Sequence, residues 1–162
     1  MLVGLYVGDH HADGLAVRAG WWLTRRLQKG DYARVTHCEA ILARRGDGTA
    51  VIASSSLRDG GVRIKHGVPL NPAAWLIVDV PAWSAASAAQ WFAAHAGEPY
   101  DWRGALATLL PGHHRSGAWF CNEAVGAAAG VQTPEQFTPA LFAALCLTFG
   151  DDVTAEFFKE FK

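Results

Sequence analysis

A chain of 162 residues, 51% hydrophobic and 18% charged with a formal net charge of −1, is long enough for one domain with a real core and too apolar to remain disordered. No stripe or cluster of Lys and Arg marks it for nucleic acid or an anionic membrane, so neither is expected as a partner.

The N-terminus, MLVGLYVGDHH, shows no basic leader, no apolar stretch of signal length and no cleavage site, and no later apolar run approaches the roughly 18 to 20 residues that span a bilayer. A cytoplasmic protein without a membrane span is the expectation. Residues 2–7 read as a short strand ended by Gly8-Asp9, and an amphipathic helix follows from Asp13 to a stop at Gly30. RVTHCEAILA then alternates in the strand period, which predicts Val35, His37, Glu39 and Ile41 on one face and Thr36, Cys38, Ala40 and Leu42 on the other. Turn signals at residues 45–48 and 59–61 separate the strands AVIASSS and VRIKH, and WLIVDV follows Asn71-Pro72. Beyond Pro81 the pattern becomes helical: Ser84 is a fair N-cap for AASAAQWFAAHAG, and further helices are predicted over 102–110, 121–129, 139–147 and 153–161. Strands first and helices after give an α+β class: one domain over 1–162, an antiparallel sheet packed against helices.

The chemistry concentrates in AWFCNEAVGAAAG, residues 118–130, where Cys121 opens a small-residue helix. A thiol there meets the positive end of the helix dipole and unpaired backbone N–H groups, which favour thiolate and would also stabilise the oxyanion of an attacked carbonyl. Such a nucleophile needs an imidazole in reach, and of seven histidines His37 alone sits in the middle of a well-patterned strand. Cys38 and Cys146 read as packing residues. The odd cysteine count without a CxxC pair indicates reduced thiols, not a disulfide framework or a thiolate zinc site.

GEPYDWRGALATLLPGHHRSGAWFCNEAV resembles the Gly-x-Pro-Tyr-x-Trp-x-Gly segment and catalytic Cys motif of the NlpC-type, papain-like cysteine peptidases, and VTHCEAIL resembles their His strand. With the His strand before the Cys helix, the order is that of the circularly permuted branch, which includes the YiiX-like and lecithin:retinol acyltransferase-like proteins. YVGDHHADGLAVRAGWWL and PEQFTPALF are similar to further segments of that branch. The resemblance implies a papain-like fold, Cys121 as nucleophile, His37 as base and Tyr100 on the oxyanion side. It also implies a third polar group, on the strand after the His strand, to orient the ring. Ser54 in VIASSS is the first choice and Ser55 the next. Glu39, two residues from His37 on its face, is the alternative, since a carboxylate there would keep the ring protonated and positioned.

The function implied is a cysteine peptidase or amidase acting on a small peptide, amide or acyl substrate through an acyl-enzyme, with no cofactor and no metal. The alternatives are an acyltransferase using the same site, or a catalytically idle module of the fold that binds a ligand or partner. Asp9, His10, His11 and Asp13 are potential metal ligands, but adjacent histidines point different ways and no zinc-type spacing accompanies them. One ring of the Trp21-Trp22 pair could line a groove, since both cannot face inward fully.

Overall fold

The computed structural model describes residues 1–8, 14–107 and 117–159. These hold strands β1 (Leu2–Tyr6), β2 (His37–Arg44), β3 (Thr49–Ser56), β4 (Gly61–Pro69), β5 (Trp75–Asp79) and β6 (Asp151–Asp152). The helices are α1 (Leu15–Leu27), α2 (Ala85–Ala94), α3 (Trp102–Ala107), α4 (Cys121–Ala128), α5 (Pro139–Phe149) and α6 (Thr154–Lys159). All strand pairings are antiparallel, in the order β4-β3-β2-β1-β5-β6, so the class is α+β with one six-stranded sheet packed against helices.

Turn chemistry sets the hairpins. Gly48 and Gly60 both adopt φ +82°, and the Asp47 carboxylate accepts from the Thr49 amide at 3.0 Å and hydroxyl at 2.6 Å. Ser84 caps α2 as expected, its hydroxyl accepting from the Ser87 amide at 3.2 Å.

One face of the sheet carries Val3, Leu5, Cys38, Ala40, Ala53, Val62 and Val78, which bury against Phe92, Ala124, Val125 and Phe142 from the helices. Each such full burial of a large side chain is worth about 1.5 to 3 kcal/mol. The short side chains of α4 let it lie close on β2 and β3; a Cβ at Gly126 would come within 2.9 Å of Pro134 and 3.4 Å of Phe142. The opposite, outer face holds a second cluster, Ile41, Ile52 and Ile77 under Phe157 of α6.

Several expectations are corrected. The strand period holds from His37, but Val35 lies outside β2 in the turn closed by its amide on the Tyr32 carbonyl at 2.9 Å, and it packs in the helix-side core and not with His37. A bulge lies between Ile41 and Ala43, yet Leu42 packs on the helix-side core with Cys38 and Ala40, as the alternation predicts. Strand β6 is two residues long and gave no pattern to read. Trp22 is 61% exposed, and among the described residues of α1 Gly20 and Thr24 border the groove described below. The metal candidates Asp9, His10, His11 and Asp13 lie outside the described residues, as do the side chain of Trp21 and the end of the helix expected over 102–110.

Candidate active site

Two buried polar side chains bring the distant segments to one place. Gln28, just past α1, donates to the Val35 carbonyl at 2.9 Å and accepts from the Ala140 amide at 2.7 Å, which fixes the chain entering β2 against the start of α5. Asn122, fully buried, donates to the Phe137 carbonyl at 2.6 Å and so holds the first turn of α4. A second strap fixes the approach to Cys121. The Trp119 amide donates to Pro99 at 3.0 Å, the Asp101 amide to Trp119 at 3.0 Å, and the Val62 amide to Glu98 at 2.9 Å. Gly61 permits this approach, because a Cβ there would collide with the Glu98 carbonyl.

Cys121 is the first residue of α4, after an extended Phe120 whose amide donates to the Glu123 carboxylate at 3.3 Å. Its thiol is influenced from both faces of β2 near the strand's start: Cys38 on the helix face and His37 on the outer face both act on its ionisation. Asn122 Oδ1 makes a long contact with the Cys121 sulfur at 3.7 Å.

The electrostatics follow from these neighbours. The Cys38 thiol, then the His37 ring and the Cys38 amide, hold the Cys121 thiol well below the usual cysteine range, against the opposing effect of burial. Burial alone would push the His37 imidazole down; Cys121 and Glu39 overcome it and raise it to about 9. Burial pushes the Cys38 thiol well up, and the Cys146 thiol up to about 12. The favoured state at neutral pH is therefore a Cys121 thiolate beside a His37 imidazolium. Tyr100 lines the same space, and burial first, then the nearby Cys121, keeps its phenol protonated well past the usual range, as a hydrogen-bond donor. Burial likewise raises Glu123 to about 7.

The carboxylate bonded to the His37 ring is Glu39. Its Oε1 is bonded to His37 Nε2 at 2.8 Å, so Nδ1 is the ring nitrogen that serves the sulfur. Against burial, His37 and then Arg63 hold the Glu39 carboxylate below its usual range. Arg63 grips both its oxygens, one at 2.9 Å and the other closer, and also donates to Asp59 at 2.8 Å, which Lys65 meets at 2.6 Å. The order of charges from the sulfur outward is thus minus, plus, minus, plus, minus, plus.

Ser54 and Ser55 are placed otherwise than the sequence reading has them. Ser54 is paired in register with Arg63, and the β2–β3 register, continued one step, sets it beside Glu39. Its hydroxyl reaches only the Ser55 carbonyl at 3.4 Å, and its small size lets Arg63 cross over it to Glu39. Ser55, on the helix face, donates to the Trp119 carbonyl at 2.6 Å and ties down the strap before Cys121. Sequence reasoning missed Arg63, Asp59, Gln28, Asn122 and the role of Cys38. The available signal was the period of VRIKH, which puts Arg63 and Lys65 on one strand face that had to find an anion.

Cys121, His37 and Glu39 open into a groove of about 450 Å³ on the outer face of the sheet. Apolar side chains line much of it, including Ile52, Val68, Leu70 and Trp75. Tyr6 meets Trp75 edge-on at 5.0 Å, and the missing side chain of Gly4 makes room for the indole, which a Cβ there would approach to 3.1 Å.

No family model matches this chain, and neither a curated protein nor a solved structure matches it. Among the described residues no helix is long and apolar enough to cross a membrane.

Proposed function

We propose that the protein is a cysteine hydrolase of the peptidase or amidase kind, built as a circularly permuted, papain-like domain. The observation that carries this reading is a cysteine that opens a helix, its thiol held down by His37 and Cys38, with the His37 ring bonded to a buried carboxylate. Cys121 attacks the carbonyl carbon of a bound amide or ester. The oxyanion forms beside the N-terminal amides of α4 and the Tyr100 hydroxyl. The His37 imidazolium gives its proton to the leaving amine or alcohol, leaving a thioester on Cys121 and a neutral ring. That ring then takes a proton from water, whose oxygen attacks the thioester and releases the acid. Glu39 holds the ring in the correct tautomer and stabilises its charge, and Arg63 keeps Glu39 ionised. The apolar lining of the groove favours an acyl group with an apolar substituent beside the scissile bond.

The Glu39 carboxylate also weighs against an idle descendant of the fold, since the ring has an orienter stronger than serine. An acyltransferase would use the same first half-reaction and differ only in the acceptor. The experiment is single-turnover reaction with p-nitrophenyl butyrate. A burst of nitrophenolate, a gain of one butyryl group on the peptide containing Cys121, and a fall of at least about 10³-fold in Cys121→Ala are expected. Butyrylation spread over lysines, or a Cys121→Ala variant as active as the parent, would sink the reading.

A further inference from the structure

We propose that Cys38 is a resolving thiol: oxidation of Cys121 by a peroxide ends in a Cys38–Cys121 disulfide that closes the site and is reopened by thiols. The inference rests on the reading above only in requiring a reactive Cys121.

The geometry comes from two elements packed face to face. Cys38 projects from β2 onto the helix face, fully buried, and α4 begins with Cys121 against that strand. Both residues belong to one buried cluster, both act on the Tyr100 phenol, and the Cys38 thiol and amide are among the groups that hold the Cys121 thiol down. Access is asymmetric: Cys121 borders the groove, where a molecule as small as hydrogen peroxide reaches it, while Cys38 is sealed in the core and can be oxidised only through its neighbour. This is the arrangement a thiol pair needs if one member is to be attacked and the other is to rescue it.

In the first step the Cys121 thiolate attacks one peroxide oxygen and the O–O bond breaks. The departing hydroxide takes the His37 proton and leaves as water, and Cys121 becomes a sulfenic acid. In the second step the Cys38 sulfur attacks the sulfenic sulfur. The S–O bond breaks, the hydroxyl leaves as water with the Cys38 proton, and the S–S bond forms. One peroxide is reduced to two waters while two thiols lose two hydrogens. Cys146 shares the core cluster but is not among the described residues lining the groove, so it is the internal control.

The test uses the full chain with equimolar hydrogen peroxide, followed by alkylation and non-reducing peptide mapping. The expected product is a peptide pair joining residues 38 and 121, lighter by two hydrogens, that dithiothreitol separates while restoring iodoacetamide labelling of Cys121. In Cys38→Ala the same dose should give about tenfold more Cys121 sulfinic acid, which dithiothreitol does not reverse, whereas Cys146→Ala should behave as the parent. If Cys38→Ala does not fold, mapping of the parent chain decides alone. Fast iodoacetamide labelling of reduced Cys121 with no linked peptide overturns this inference and leaves the proposed function standing. Labelling of Cys121 no faster than Cys146 removes both.

Discussion

His37 and Cys38 are consecutive on β2, yet they look into different surroundings. The face that Cys38 shares with Val3, Leu5 and Ala40 is apolar and covered by helices, and burial there keeps its thiol neutral. The face that His37 shares carries Glu39, Arg63 and Lys65 together with Ile41, Ile52 and Ile77, Lys65 standing opposite Ile52. Charge is tolerated on that second face because the register supplies each group with an opposite neighbour, from Glu39 through Arg63 to Asp59. Cys121 stands where the two faces end, so a thiol from the dry side and a ring from the charged side act on one sulfur. The comparison teaches that the reactive state of Cys121 depends on the charged row of the outer face as much as on the helix that carries it.

Removing the ring breaks the comparison most severely. In His37→Ala the thiolate loses its cation and the leaving group its acid, and ester turnover should fall by about 10² to 10⁴-fold. The pH at which half of Cys121 alkylates should move up toward about 8.5, the range of an ordinary thiol.

Arg63→Met cuts the charged row one step further out. It leaves Glu39 buried with one partner fewer, and breaking a buried pair in this way costs about 3 to 5 kcal/mol, of which Arg63's residual exposure removes part. Urea unfolding should therefore show a large loss, greatest above the usual carboxylate range. The Glu39 pKa is lowered in the folded chain, so its contribution is present above that range and is already lost as pH falls through the folded value.

The smallest effect is expected of Ser54→Ala. Its hydroxyl makes only a 3.4 Å bond, so stability should shift by about 1 kcal/mol or less and the alkylation profile of Cys121 should not move. Glu39→Gln, in contrast, should lower the pKa of His37 from about 9 and shift that profile. The pair of variants separates the serine from the carboxylate as orienter by a readout that loss of packing alone would leave unchanged.

Much of this was legible in the sequence. The strand and helix order followed from period and turn chemistry, and Cys121 stood out as the start of a small-residue helix; His37, read as mid-strand, proves to be the first residue of β2. What was not legible depended on register. Glu39 and Ser54 are both plausible beside His37 on paper; in the fold the ring bonds Glu39 while Ser54 bonds the Ser55 carbonyl, and the β3–β4 pairing puts Arg63 opposite Ser54 and within reach of Glu39. Ser55 could not be assigned without knowing that the strap through Trp119 returns over β3. Cys38 was read as facing away from His37, which is true of the strand, but the end of a strand can serve a neighbour from both sides.

The pH dependence of Cys121 alkylation, set beside thermal stability, tests the ion pair most directly. Between about 6.5 and 8.5 the unfolded chain keeps one proton on the thiol and the folded chain keeps one on the ring, so the melting temperature should contain no step from this pair. As pH rises further toward about 9, the pair's contribution should fall, because the folded chain still holds the proton that the unfolded chain has lost. Alkylation by iodoacetamide should meanwhile stay fast and level through neutrality into mild acid, with Cys38 and Cys146 unlabelled. A Cys121 rate that rises steadily with pH to a midpoint near that of a free thiol, about 8.5, would contradict the account.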